Sequence, residues 1–280
     1  MRGSSSLLPG LPVELIMECY SQAPGNEIES GKFESPESSA ALVANAFGYF
    51  LDKCAALPPL PQVECEWPTT GLWLERTVKF PWSGGRHPCL DVLVETPDAL
   101  IGIESKRFEP FRAKTPAPWP NAYQRAVWGD RMSCFTSLMD SLENGLSFVH
   151  LDPTQLIKHA FGLRTEVHRP GRFNGKRPIL VYLYSEPPAW PDGTSIEPKS
   201  HSRHRDEIMR FSKNVAGDEV AFVNTTYSEL LSSWAKYSDA DVVNHALRVW
   251  NHFFPMSRLI QRTRVDSGPT AYTKHGPNRE

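Results

Sequence analysis

The sequence predicts an α/β fold, in the broader α+β sense of helices packed on a mixed sheet. Three observations carry that expectation. Short runs with the alternation or apolar density of strands cluster at 72–81, 90–94 and 100–106. Residues 178–184 (PILVYLY) form a nearly continuous apolar run, as expected of a strand buried on both faces. Capped helical segments surround them, for example Asp152-Pro153 ahead of TQLIKHAFGL. At 280 residues the chain can build one large domain with a sizeable core.

Taken in order, residues 7–34 are punctuated by Pro and Gly, with one short helix expected around 13–20. A helix follows to about residue 55, with Ser35 as N-cap, Pro36 at its first position and Glu37 in its first turn. Glu37, Ala41, Ala44 and Gly48 share one stripe, and such small residues let a helix lie close to a sheet. The run 72–81 (LWLERTVKFP) predicts a half-buried strand with Leu72, Leu74, Val78 and Phe80 on one face. Two further strands complete an antiparallel meander. A long amphipathic stretch is expected over 121–142, ended by Glu143-Asn144-Gly145. The helix opened by Asp152-Pro153 carries Gln155, Lys158, His159 and Gly162 on one side, with Gly162 near its end. After the strand at 178–184 come a long loop over 187–202, a strand at 220–223 and helices over 227–236 and 239–254. The expected organisation is an N-terminal extension (1–34), one domain (35–256, core about 35–184) and a polar, flexible tail (257–280).

Hydrophobic residues make up 40% and charged residues 22%, ordinary for a soluble globular protein. No run approaches the ~18 apolar residues of a membrane-crossing helix. No basic segment precedes an apolar leader, so export is not expected. Five cysteines without CxxC spacing fit reduced thiols in a cytoplasmic protein. The net charge of −2 does not mark a nucleic-acid binder as a whole. Basic residues gather at 168–177 and 199–205, either as a phosphate-steering patch or as solvated loops. His201 and His204 fit a solvated loop better than a zinc site, and no nucleotide-binding glycine motif or GxSxG elbow is present. Trp119, Tyr123 and Trp128, around Arg125, suit either base stacking or a helix core.

The most informative stretch is 87–111. Thr96-Pro97-Asp98-Ala99 is a turn, and folding the chain about it places Asp91 opposite Glu104, with Lys106 on the same face as Glu104. The other face is apolar, with Leu90, Val92 and Val94 opposite Ile101 and Ile103. Two carboxylates facing each other destabilise a sheet unless a charge offsets them. A divalent cation, helped by Lys106, would supply it; an exposed acid–base face is the plainer alternative.

This order (helix, three strands, helix, strand, with Asp…Glu-x-Lys on the second and third strands) resembles the PD-(D/E)xK nuclease superfamily over about 35–184. More narrowly it is similar to a bacterial restriction-endonuclease-like family. The resemblance implies a restriction-endonuclease-like αβββαβ core with added C-terminal helices. It implies Mg²⁺ (or Mn²⁺) held by Asp91, Glu104 and the Ser105 carbonyl, with Lys106 beside the attacking water. Glu37 would complete the metal site from the first helix, unless it is a surface acid that complements the helix dipole. Gln155 would be an auxiliary residue. The implied activity is Mg²⁺-dependent hydrolysis of DNA, double-stranded in the first instance, in restriction or defence. A homodimer or a defence-system partner is compatible with it. The competing expectation is a catalytically silent member that binds nucleic acid or a protein. Two departures stand out: the proline nearest before Asp91 is Pro88, three residues upstream, and the literal Pro97-Asp98 pair lies in the turn. That turn is the end of the hairpin away from Glu104, so Asp98 is rejected as a ligand.

Overall fold

The computed structural model describes residues 6–112 and 119–255. Helices α1 (Val13–Gln22) and α2 (Ser39–Phe47) precede strands β1 (Gly71–Thr77), β2 (Cys89–Glu95) and β3 (Ala99–Lys106). Then come α3 (Ser133–Glu143), α4 (Pro153–His168), β4 (Arg177–Tyr184), α5 (Pro198–Val215), β5 (Ala221–Thr226), α6 (Tyr227–Trp234) and α7 (Ala240–Phe253). The sheet runs β1-β2-β3-β4-β5, antiparallel through its first three strands and parallel through its last three. The fold is therefore mixed α/β, and the expected helix, three strands, helix, strand order is present with α3 added.

The turn sets the register. Thr96 N–H donates to the Ala99 carbonyl at 3.0 Å, and the Thr96 hydroxyl accepts from Ala99 N–H at 3.1 Å. Val92 then pairs with Ile103 and Val94 with Ile101, as the turn predicts. Asp98 does turn work: it accepts from Glu66 N–H at 2.8 Å and ion-pairs with Arg177 at 2.8 Å.

Two apolar layers sandwich the sheet. Val92, Val94, Ile101, Ile103, Val181 and Leu183 face one core, closed by α1, α2, α6 and α7. Leu93, Leu100, Leu180 and Tyr182 face the other, closed by α3, α4 and α5. Residues 7–34 are built into the first layer, since Ile16 and Phe33 are fully buried there. The polar tail expected over 257–280 lies outside the described residues. Gly102 sets how closely the second layer approaches: a Cβ there would fall 2.7 Å from Leu90 Cδ1 and 2.8 Å from Leu163 Cδ1 of α4.

Several expectations are corrected. The helix expected from Ser35 starts at Ser39, because Ser38 is the residue whose hydroxyl accepts from Ala41 N–H. Glu37 thus precedes the helix instead of sitting in its first turn. Leu90 packs in the second core, not on the Val92 face, and the proposed single apolar face of 72–81 divides likewise: Leu72 and Leu74 in one core, Val78 and Phe80 in the other. The 121–142 stretch is broken by Gly129 at φ 78°, leaving a helix from Ser133. Its aromatics are core: Trp128 stacks on Phe161 with centroids 4.0 Å apart. Gly162 falls within α4, where a Cβ would meet Val78 Cγ2 at 2.5 Å, so the helix continues past it to His168. Much of the loop expected over 187–202 persists, but α5 begins at Pro198 and takes in His201 and His204. Its buried stripe is His204, Glu207, Ile208, Phe211 and Val215, and the two polar members disguise its apolar periodicity.

Gly102→Val overfills the junction of Leu90 and Leu163 and is expected to cost ~1–3 kcal/mol, read as a lower urea midpoint. An unchanged midpoint would mean that α4 is not held at this distance by Gly102.

Candidate functional site

The site forms where two strands change the face they present. Glu75 lies between the β1–β2 pairs Leu74–Val92 and Arg76–Leu90, so it and Asp91 occupy the same level of the sheet. Glu75 has φ 49°, in the left-handed region that a residue with a Cβ adopts at a cost. This turn accompanies the switch of apolar residues from one core to the other along β1. On β2 the described ladder to β3 stops at Val92–Ile103. One step on, Asp91 Oδ2 accepts the Ser105 N–H at 2.6 Å. A side-chain oxygen thus takes a strand amide, and the Asp91 carboxylate is fixed beside β3.

Glu104, 1% exposed, projects from β3 toward α4. Lys106 Nζ makes an ion pair with its Oε1, and His159 Nε2 lies 2.8 Å from its Oε2. The second contact is close but out of line, leaving Glu104 Oε2 and both His159 ring nitrogens buried without an aligned hydrogen bond among the described residues. Ser105 holds the strand from the opposite side, its hydroxyl 2.7 Å from that of Tyr227 in α6. Three carboxylates from three adjacent strands, Glu75, Asp91 and Glu104, therefore meet one lysine.

Their titration follows from crowding. Burial would raise Glu104, but Lys106 and His159 outweigh it and hold the carboxyl down at about 2. Burial lowers Lys106, yet Glu104, Glu109 and Asp91 together carry it well above its ordinary value. Asp91 moves well above the carboxylate range, through burial first and Glu104 second, against Lys106 and the Ser105 N–H. Burial, with Glu104 and Glu27, lifts Glu75 to about 7, although the Cys89 thiol donates to it at 3.6 Å. Lys106 thus offsets one carboxylate, and the other two favour their protonated forms.

Of the residues picked out from sequence, Asp91, Glu104, Ser105 and Lys106 are brought together. Glu37 is not: its carboxylate takes the Arg112 guanidinium, with Nε at 3.0 Å, beside Trp190 and Pro191. The third acid of the cluster is Glu75, which strand alternation alone put on an ordinary polar face. Gln155 sits in the first turn of α4, where its N–H donates to the capping Asp152 at 3.0 Å. The α4 side chain that reaches Glu104 is His159, one helical turn further on. Ser105 commits both its amide and its hydroxyl, so a cation contact from it would use its carbonyl.

The donor set suits a hard divalent cation, being carboxylate oxygen throughout, with Glu104 Oε2 buried and lacking an aligned donor. No three His, Cys, Asp or Glu side chains among the described residues are already grouped as a metal cage. Cation binding here would therefore rearrange side chains and displace protons from Asp91 and Glu75.

A cleft of about 670 Å³ is lined by Pro24, Gly25, Asn26, Thr77, Gly85, Arg86 and His87. Thr77 is two residues beyond Glu75 on the same strand. Arg86 on the cleft wall and Arg76 on β1 make no ion pair among the described residues, and both are exposed. The basic run 168–177 is different: Arg169, Arg172, Lys176 and Arg177 pair with Glu166, Glu95, Glu95 and Asp98, and His168 contacts Glu219. Arg86 thus offers a cation on the cleft wall, whereas the cations of the 168–177 run are already paired.

The sign of the pH dependence follows from Glu75. Its folded value, about 7, lies above its unfolded value, so its proton stabilises the fold below the unfolded pKa. That stability is lost as pH rises through 7. Between about pH 5 and 8 the protein should lose up to about 3 kcal/mol from this group, measured by urea unfolding. Glu75→Gln should remove most of that slope; an unchanged slope would place the titration elsewhere.

No helix among the described residues is long and apolar enough to cross a membrane. Comparison with protein-family models, curated proteins and solved structures finds no match.

Proposed function

We propose that the protein is a Mg²⁺- or Mn²⁺-dependent nuclease of the PD-(D/E)xK type, hydrolysing DNA phosphodiester bonds. The observation that carries this reading is the bond from Ser105 N–H to Asp91, which holds a second carboxylate beside the Glu104–Lys106 pair at the end of a ladder. Such a cluster has an unmet demand for positive charge, and a phosphodiester brings more negative charge to it. Asp91 and Glu104 would hold the cation, with Glu75 as the added acid. A bound cation lowers the pKa of its water and screens the phosphate. Lys106, kept protonated by its acidic neighbours, is placed to stabilise charge that develops on phosphate oxygens. Arg86 on the cleft wall and the exposed Arg76 on β1 would supply cations for the backbone of the nucleic acid. A role in restriction or defence, in the cytoplasm and with a homodimeric or defence-system partner, accords with this chemistry and rests on the family resemblance.

Two observations favour the second reading, a silent nuclease-like fold that binds nucleic acid or protein. Glu104 is already contacted on both oxygens, by Lys106 and His159, and the acids are not gathered into a cage. Incubation of supercoiled plasmid, single-stranded DNA and RNA with Mg²⁺ or Mn²⁺, against EDTA, separates the two. Cleavage in metal alone supports the nuclease; binding without cleavage on all three substrates supports the silent fold.

Asp91→Asn is the cleanest variant. The amide oxygen can still accept from Ser105 N–H, and the uncharged group mimics the protonated acid, so folding should be nearly unaffected. Metal-dependent cleavage should fall by about 10²–10³-fold or more. Full activity in a folded Asp91→Asn protein would remove this residue from the chemistry.

A further inference from the structure

Immediately after Lys106 the chain enters a second cavity, of about 590 Å³, within the ~300–1,000 Å³ typical of small-molecule pockets. Its walls include Phe108, Trp190, Phe253 and Phe254, with Arg107 among them. Phe108 and Trp190 lie nearly parallel, 21° apart with centroids at 5.5 Å. The loop bearing Trp190 is braced by its own backbone, Trp190 N–H to Thr194 O at 2.8 Å and Ile196 N–H to Pro188 O at 2.9 Å.

Arg107 is 9% exposed, yet forms no ion pair among the described residues. Its guanidinium donates to two carbonyls, those of Pro36 at 2.6 Å and Phe253 at 3.0 Å. A guanidinium carries more N–H donors than two carbonyls use. The nearest carboxylate in sequence, Glu109, is spent elsewhere, accepting from Arg107's own backbone N–H at 2.8 Å and contacting the Ser39 hydroxyl. A buried cation without a contacting counter-charge is costly unless something supplies one. In a cavity whose remaining walls are mostly proline and aromatic side chains, that partner has an apolar body.

We propose that this cavity is a binding site for a small anion with a flat apolar body, its carboxylate-type head on Arg107 and its ring against Trp190 and Phe108. The site is separate from the carboxylate row and does not depend on the nuclease reading. A charge-assisted hydrogen bond to guanidinium supplies selectivity for the anion, and the aromatic walls supply affinity for the ring. Glu34, held by Ser6 at the rim, disfavours a second negative charge on the ligand.

The test is a calorimetric titration of the full chain with 1-naphthoate and with its uncharged counterpart 1-naphthalenemethanol. The expected result is one-site binding of naphthoate, with the alcohol at least about tenfold weaker. Trp190→Ala, at a partly exposed position, should weaken naphthoate by about tenfold while leaving the thermal unfolding profile in place. Arg107→Met should abolish the preference for the anion; if that protein does not fold, the Trp190→Ala result and the two-probe comparison still decide. Absence of saturable naphthoate binding, equal affinity for the alcohol, or an unchanged Trp190→Ala protein would each overturn the proposal.

Discussion

The hydrogen bond from Ser105 N–H to Asp91 Oδ2 is the constraint around which the centre of the molecule is arranged. It requires β2 and β3 to stop pairing through their backbones one residue short of Glu104, and it gives the released amide a charged acceptor. Everything nearby serves that geometry. Tyr227 in α6 secures the Ser105 hydroxyl from one layer, and His159 in α4 meets Glu104 from the other. Gly102 and Gly162 let α4 approach closely enough for that contact. Both helical layers thus converge on β3, the strand that bears Glu104 and Lys106.

The cost of this arrangement is electrostatic. Three carboxylates share one lysine at a largely buried level of the sheet, and the fold accommodates them by unequal protonation. Glu104 stays ionised against Lys106, while Asp91 and Glu75 are driven upward. Breaking one member of a buried ion pair costs more than the pair itself contributes, so Lys106 is a structural counter-charge as well as the proposed catalytic group. The same crowding that destabilises the cluster at high pH is what would draw a divalent cation to it. The strain at Glu75, with its left-handed backbone, sits at this point and not in a surface turn, in keeping with the tendency of strained residues to gather at working sites.

The sequence was most legible where local chemistry and periodicity agree. The Thr96–Ala99 turn and the alternation of β2 and β3 were enough to place Asp91 at the level of Glu104 and to set Asp98 aside. Legibility failed where a rule of alternation broke. Glu75 could not be recognised because its positive φ, invisible in sequence, changes which side the next residues face. Leu90 was misplaced for a related reason, the departure from ladder geometry beside Asp91. Glu37 precedes α2 instead of lying in its first turn because, of the two serines able to cap the helix, the buried Ser38 prevails over Ser35. His159 rather than Gln155 meets Glu104 because the depth of α4 against β3 is a tertiary property, set by the packing over Gly102 and Gly162. The basic run at 168–177 looked available to phosphate, but its partners Glu95, Asp98 and Glu219 come from elsewhere in the chain.

The central claim is that the Asp91–Glu104 cluster is a cation site whose protons a metal displaces. Calorimetric titration of the protein with Mn²⁺ near pH 6.5, repeated in buffers of different ionisation enthalpy, addresses it directly. The account predicts saturable binding accompanied by net proton release, with both lost in Glu104→Gln. Absence of binding, or binding with no proton exchanged, would contradict it.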